Sequence, residues 1–188
     1  MRQLIFGVCV LTAACSGSIP DSPTAPTSAT GARDATVPVS QTSALRGTEL
    51  PFHGTFTGTS VSCFFDGTCP PGTLIITSRK TGEATQLGHF TAISVAQGAF
   101  PPTGDPAAGT WDFTAANGDR LSATAVFTQD QFIPPKVQHV TVSATISGGT
   151  GRFAAATGAF TVRLVSTLNV DHTASESGSF EGHINLNR

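Results

Sequence analysis

The chain of 188 residues predicts an all-β domain, and three observations support this. From residue 48 onward, apolar and polar residues alternate with a period of two almost throughout, which is typical of strands with one buried face. Connections between these runs are short, and no stretch of helical period is longer than a turn or two. Eight such runs fit a closed antiparallel barrel or a two-sheet sandwich, and alternation alone leaves both open.

The first four strands are predicted from alternation and are bounded by turn residues. In the first, Leu50, Phe52 and Phe56 alternate with polar residues. A turn at 80–82 ends the second strand, and a loop rich in Gly and Pro at 98–109 separates the third strand from the fourth. The third strand does not reveal which of its faces is buried. The predicted ranges are 50–59, 73–79, 88–97 and 110–116.

The last four strands follow a hairpin, a loop and a glycine-rich corner. Asn117-Gly118 predicts a type I′ turn, because both central residues of that turn need positive φ. A loop at 130–135 separates the fifth strand from the sixth. The small residues Gly148 to Gly151 break the alternation after the sixth strand, and glycine there predicts a tight, packed corner. The predicted ranges are 119–129, 137–147, 159–170 and 178–187.

The first 14 residues predict a cleaved leader. After a short positive start, Leu4 to Ala14 form an apolar stretch too short to span a bilayer. The sequence Leu-Thr-Ala-Ala-Cys15 resembles the lipobox of bacterial lipoproteins, with Thr12 where leucine is commonest. We therefore expect cleavage before Cys15, a lipid anchor on Cys15, and localisation in the bacterial cell envelope. Because Ser16 follows rather than aspartate, the outer membrane is the expected location; an ordinary secretory signal is the alternative.

Residues 15–47 are rich in Ser, Thr, Pro and Ala, a composition that buries too little apolar surface to offset the entropy of ordering. We expect a lipidated, disordered tether there, followed by one barrel domain at 48–188, a common domain size. That domain carries seven Lys and Arg against ten Asp and Glu, a net charge of about −3. With no basic run, nucleic acid is not an expected partner. The sequence does not indicate an oligomeric state.

Two cysteines of the domain, Cys63 and Cys69, predict one structural disulfide across a short loop. Closing so small a loop stabilises a fold by about 2 kcal/mol on the chain-entropy model. A redox-active pair is the alternative, but the spacing is not Cys-x-x-Cys. The histidines show no metal-binding spacing, and Gly149-Thr-Gly151 lacks the following helix that a dinucleotide site needs, so no metal or cofactor is expected.

The corner Gly148-Gly-Thr-Gly-Arg-Phe153 closely resembles the Gly-Gly-Thr-Gly-Arg-Phe corner of the allene oxide cyclase and dirigent barrel superfamily. Weaker likeness extends from Phe52-His-Gly-Thr-Phe through Leu87-Gly-His-Phe and Asn117-Gly-Asp to Phe180-Glu-Gly. The resemblance favours the barrel over the sandwich, and it implies cyclase, isomerase or ligand-binding functions. We expect Phe153 to plug the barrel end, and Arg152 to reach a nearby carboxylate or carbonyl.

Alternation sorts the strands into an apolar face, which becomes the barrel lumen, and a polar outer face. The resemblance implies that cyclases of this family carry a glutamate inside the barrel. It also implies that dirigent-type barrels carry Asp and Arg in their pockets. Here Glu176 is predicted near a strand end, whereas Asp112, Arg163 and Glu181 point outward. The lumen is therefore expected to be almost wholly apolar. The candidate ligand-binding residues of the lumen are Phe52, Phe56, Leu74, Ile76, Trp111, Phe113, Phe127, Val142, Phe160, Leu164 and Phe180.

These patterns predict a non-catalytic barrel that binds a small hydrophobic ligand or has a structural role, with no catalytic residue assigned. The alternative is a cyclase or isomerase acting on a hydrophobic substrate in the lumen, with His89 or Asp112 supplying the polar group. A third class is a partner-binding module that uses the Thr-rich exterior. The apolar loop residues Phe100, Phe132 and Ile133 are predicted either to cover a cavity or to plug the barrel end.

Overall fold

A computed structural model describes residues 48–101 and 103–186, in which eight antiparallel strands close into a barrel. Each strand pairs with its neighbours in sequence, and the first pairs with the last. The predicted barrel is confirmed, whereas the predicted leader, the lipid anchor on Cys15 and the tether at 15–47 lie outside the described residues. The strands are β1 Glu49–Ser62, β2 Thr73–Ala84, β3 Gly88–Ala99, β4 Ala107–Thr114, β5 Arg120–Ile133, β6 Val137–Gly149, β7 Thr157–Leu168 and β8 Ala174–Asn185.

Helical structure in the described residues is confined to the single turn α1, Cys63–Asp66, and a 3-10 turn at Gly151–Phe153. Neither is long enough to cross a membrane. The connections form two groups because successive strands run in opposite directions. We call the end with the connections 85–87, 115–119 and 150–156 the closed end. The end with 63–72, 100–106, 134–136 and 169–173 is the open end.

Several strands extend further than predicted. The predicted turn at 80–82 is wrong, because β2 continues to Ala84 and the chain reverses around Gln86, which has a φ of 64°. Gly82 instead allows close contact between strands, since a Cβ there would overlap the carbonyl oxygen of Thr55. β8 begins at Ala174, before the predicted start at residue 178, so residues 174–177 also belong to the strand.

The hairpin at Asn117-Gly118 is present, but the predicted type I′ turn is wrong. Gly118 has a φ of 86°, whereas Asn117 is not among the residues with positive φ. The N–H of Gly118 donates to the carbonyl of Ala115 (2.9 Å), and the N–H of Ala115 donates to the carbonyl of Asp119 (2.9 Å). This is a three-residue loop with glycine in the left-handed position. The Asn117 side chain stabilises it by accepting a bond from the Asp119 N–H (3.1 Å).

Aromatic rings fill the lumen next to the closed end, which we call the closed half. Glycines on neighbouring strands provide the space for them: a Cβ on Gly54 would lie 2.8 Å from the ring of Phe180, and one on Gly178 would lie 2.8 Å from that of Phe56. The rings meet mostly edge to face, at centroid distances such as 5.3 Å between Phe52 and Phe160. Such contacts add to the burial of large apolar surfaces.

The glycine corner seals the closed end. Gly151 has a φ of 55°, and a Cβ there would overlap the Asp119 carboxylate. Phe153 is fully buried beneath the barrel, which confirms the predicted plug. The Arg152 guanidinium donates to the carbonyl of Gln86, and its Nε lies 4.0 Å from the Asp119 carboxylate, so the predicted contacts of Arg152 are also confirmed.

Candidate functional site

The lumen next to the open end, the open half, holds a cavity of about 510 Å³. We call it the open cavity. Its walls come from inward-facing positions around the barrel and are mostly apolar, although Ser60, Gln138 and Ser166 also line them. Apolar wall residues include Leu74, Ile76, Phe127, Val140, Leu164 and Leu168.

The candidate lumen residues all face inward, but they divide into two groups. Leu74, Ile76, Phe127 and Leu164 line the open cavity. The others are buried in the closed half and do not line that cavity; they are Phe52, Phe56, Trp111, Phe113, Val142, Phe160 and Phe180. Ligand binding by any of these residues stays a prediction.

The bottom of the open cavity, which we call the floor, carries a buried ion pair. Lys80 Nζ lies 2.8 Å from Glu176 Oε2, and the two side chains are 1% and 6% exposed. Serines surround the pair: Lys80 donates to Ser94 Oγ (2.8 Å), and Ser78 Oγ donates to Glu176 Oε1 (3.1 Å). The floor is therefore polar, whereas the walls above it are mostly apolar.

Strand register places the two charges together. Gly58 on β1 pairs with Lys80 on β2 and with Glu176 on β8, so the three residues form one row across three strands. A Cβ on Gly58 would lie 2.9 Å from Lys80 Cγ. Glycine at the centre of the row thus provides the space in which the long side chains meet.

The aromatic residues of the closed half lie directly below this pair. Lys80 Nζ is 4.6 Å from the centroid of the Trp111 ring, a cation–π contact that is strong where water is excluded. Burial lowers the pKa of Lys80 from its ordinary value of 10.5, although the charge of Glu176 acts in the opposite direction. Among the described residues, the buried indole nitrogen of Trp111, Nε1, has no hydrogen-bond partner.

The expectation of an almost wholly apolar lumen is wrong, because it assigned Lys80 to a turn and placed Glu176 near a strand end. Both lie within strands and point inward. Alternation contained the signal: Lys80 has the same parity as Ile76, and Glu176 has the same parity as Phe180. Continuing the predicted second strand beyond residue 79, and beginning the eighth strand before residue 178, would have placed both charges in the lumen.

Neither polar residue proposed from the sequence for chemistry reaches the lumen. His89 is exposed on the outer face, so the inward residues of β3 are its even-numbered ones, such as Phe90 and Ser94. Asp112 is also exposed, and its Oδ1 accepts a bond from Ser122 Oγ (2.6 Å). The outward orientation predicted for Asp112 is confirmed, and a role for it in the lumen is excluded.

Aromatic side chains surround the mouth of the open cavity; this rim consists of Phe64, Phe65, Phe100 and Phe132. The predicted disulfide between Cys63 and Cys69 is confirmed, and it closes the loop that carries α1. Phe64 contacts Phe100 at a centroid distance of 4.8 Å, and Phe65 stacks on His172 at 4.6 Å.

The apolar residues predicted to cover a cavity or to plug the barrel lie at the open end. The predicted loop at 130–135 is wrong in part, because Phe132 and Ile133 belong to the end of β5 and only Phe100 lies in a connection. Phe100, Phe132 and Ile133 are 37%, 46% and 43% exposed. Their side chains therefore keep much of their surface in solvent. Phe100 and Phe132 border the cavity without filling it, whereas Ile133 does not line it.

A second depression, of about 920 Å³, lies on the outer face between the closed-end halves of β1, β2, β7 and β8. It is a broad groove bordered by exposed polar residues such as His53, Glu83 and Arg163. Among the described residues, no group of three or more His, Cys, Asp or Glu is placed to hold a metal ion. The open cavity, enclosed by the barrel and apolar in its walls, is the stronger candidate site.

The described residues thus form an antiparallel β-barrel with one packed half and one open half. No protein-family model, curated protein or solved structure matches the chain. The function is therefore argued from the open cavity itself.

Proposed function

We propose that the barrel binds a small, mostly apolar molecule in its open cavity. The observation that carries this proposal is the apolar-walled cavity of about 510 Å³ with an aromatic rim. Its volume lies within the range of small-molecule sites, and at roughly 30 Å³ per water-sized group it holds about 15–20 non-hydrogen atoms. Binding removes apolar surface of the ligand and of the cavity from water, and this favours the complex.

We also propose that the protein is a lipid-anchored member of the allene oxide cyclase and dirigent barrel superfamily, located in the bacterial envelope. The sequence likeness at residues 148–153 and the packed corner formed there support the superfamily assignment. The lipobox-like residues before Cys15 support the anchor. Loss of membrane attachment on Cys15→Ala substitution tests the anchor, and retention of the substituted protein in the membrane fraction would contradict it.

The binding proposal is tested by native mass spectrometry of the purified protein, looking for a co-purifying molecule. Ile76→Phe places a larger side chain on the cavity wall and should abolish the bound mass. Val126→Phe is the matched control, because Val126 is 47% exposed on the outer face. Equal occupancy in both variants would show that the molecule binds elsewhere.

A second candidate function is the isomerisation or cyclisation of the bound molecule, and the Lys80–Glu176 pair on the floor is the observation that favours it. A buried carboxylate beside a buried ammonium is typical of acid–base sites. In such a reaction a proton leaves one substrate atom and returns at another, so substrate and product have the same mass. Chromatography of molecules co-purified with the native protein and with Glu176→Gln separates the possibilities. Different isomers indicate turnover, whereas the same molecule in both indicates binding alone.

A further inference from the structure

We propose that the ligand of the open cavity is a neutral molecule with a hydroxyl at one end, and that this hydroxyl donates a hydrogen bond to Glu176 on the floor. This inference rests on the proposed binding function and specifies the chemistry of the ligand.

The floor offers a hydrogen-bond acceptor that the protein leaves incompletely used. Glu176 Oε1 accepts from Ser78 Oγ at 3.1 Å. Oε2 lies 2.8 Å from Lys80 Nζ and is engaged by the ammonium in the ion pair. An ionised carboxylate has about four acceptor positions, so positions remain for a donor from the ligand. A buried carboxylate whose acceptor positions are only partly filled is incompletely compensated for its lost hydration, and a hydroxyl of the ligand supplies a further donor.

The ammonium on the floor is already engaged. Lys80 Nζ donates to Ser94 Oγ at 2.8 Å, pairs with Glu176 at 2.8 Å, and lies 4.6 Å from the centroid of the Trp111 ring. An ammonium has three N–H donors, so little capacity remains for a ligand carboxylate.

The charge balance leads to the same conclusion. The Lys80–Glu176 pair has no net charge, and both side chains are at least 94% buried. A ligand carboxylate on the floor would add an uncompensated negative charge beside Glu176 in a weakly screened environment. A hydroxyl adds no charge and supplies a further donor to Glu176, so the site distinguishes an alcohol from the acid with the same chain.

The size and lining of the cavity determine the length and polarity of the rest of the ligand. The space between floor and rim is bordered mostly by apolar residues, with Gln138 and Ser166 among them, and holds about 15–20 non-hydrogen atoms at roughly 30 Å³ each. A saturated chain of about 14 carbons with a terminal hydroxyl is within that size, and tetradecanol is a suitable probe.

The test uses the only tryptophan of the chain. The sequence contains one Trp and no Tyr, so the emission is that of Trp111, which lies beside the floor. Tetradecanol, tetradecanoate and tetradecane are titrated separately at neutral pH below their aggregation limits. We expect tetradecanol to bind at least about tenfold more tightly than either of the others, the range expected for one satisfied buried hydrogen bond.

The variant Lys80→Met/Glu176→Met replaces the pair with apolar side chains of similar length. It should bind tetradecane at least as tightly as tetradecanol, because the acceptor is gone and the buried hydroxyl loses its hydration without compensation. Preference for the alcohol in this variant, or equal or tighter binding of tetradecanoate by the native protein, would overturn the inference and leave the binding function standing. Absence of binding by all three probes would instead count against the binding function itself. The comparison of probes on the native protein stands whether or not the variant folds.

Discussion

Replacing Lys80 alone and replacing both Lys80 and Glu176 should have very different effects on the free energy of unfolding. Lys80→Met leaves the Glu176 carboxylate buried without its cation, whereas Lys80→Met/Glu176→Met removes both charges. Both side chains are almost fully buried, so solvent screens the interaction little. We expect the single substitution to lower the free energy of unfolding by about 3–5 kcal/mol, and the double substitution to leave it unchanged or raise it by about 1–4 kcal/mol.

The distance between the charges supports these magnitudes. At 2.8 Å between Lys80 Nζ and Glu176 Oε2, Coulomb attraction is about 6 kcal/mol with an effective dielectric constant of about 20. Removing each ion from water costs several kcal/mol, so attraction and desolvation nearly cancel for the intact pair. The single substitution loses the attraction and keeps the desolvation penalty of Glu176.

The assay is urea unfolding followed by Trp111 emission, with the slope of the transition checked for constancy. Val126→Met, at an exposed outer position, is the control for the introduction of methionine. A loss below about 1 kcal/mol for Lys80→Met, or equal losses for the single and double variants, would refute the reasoning that the pair is buried and balanced.

Three further predictions concern pH, the plug and the disulfide. Because burial lowers the pKa of Lys80 from 10.5, the unfolded chain holds more protons than the native protein at alkaline pH below 10.5. Stability should therefore rise with pH in that window, and the slope should be smaller in the double variant; equal slopes would contradict this. Phe153→Ala should cost about 3–5 kcal/mol in urea unfolding because Phe153 is fully buried, whereas Phe65→Ala, at a side chain 44% exposed, should cost far less; similar losses would contradict the plug. Replacing Cys63 and Cys69 by serine should cost about 2 kcal/mol in the same assay, and an unchanged transition would show that the loop closure contributes nothing.

Alternation was sufficient to predict an all-β domain of eight strands and most of the inward-facing residues, whereas the choice of the barrel over the sandwich depended on the resemblance. A buried strand face requires an apolar side chain at every second position, and Phe52, Trp111 and Phe180 satisfy that rule unambiguously. The corner was predictable for a different reason. Gly151 has a positive φ and lies against the Asp119 carboxylate, and few residues other than glycine tolerate both conditions.

The floor of the cavity was not predicted, because local sequence gave the wrong strand ends. Lys80-Thr-Gly82 has the composition of a turn, and the run that begins at Ala174 has few bulky apolar residues. Both segments are strands because the neighbouring strands need partners for their backbone groups and because the barrel closes around them. The inward charge at Glu176 depends on pairing with Lys80, which lies far away in the sequence and reaches it only through the barrel register.

The division of the lumen into a packed and an open half also depends on tertiary structure. The sequence assigns Phe56 and Ile76 to the same inward face, but only the three-dimensional arrangement shows that one is core and the other lines a cavity. That division follows from where large rings and glycines meet across strands. Volume complementarity of this kind is not visible in the alternation of a single strand.

A crystal structure of the protein grown with tetradecanol tests the central claim most directly. We predict continuous density from the aromatic rim to the floor, with the alcohol oxygen within hydrogen-bond distance of Glu176. An open cavity without the alcohol at saturating concentration, or density only in the outer groove beside His53, would contradict the account.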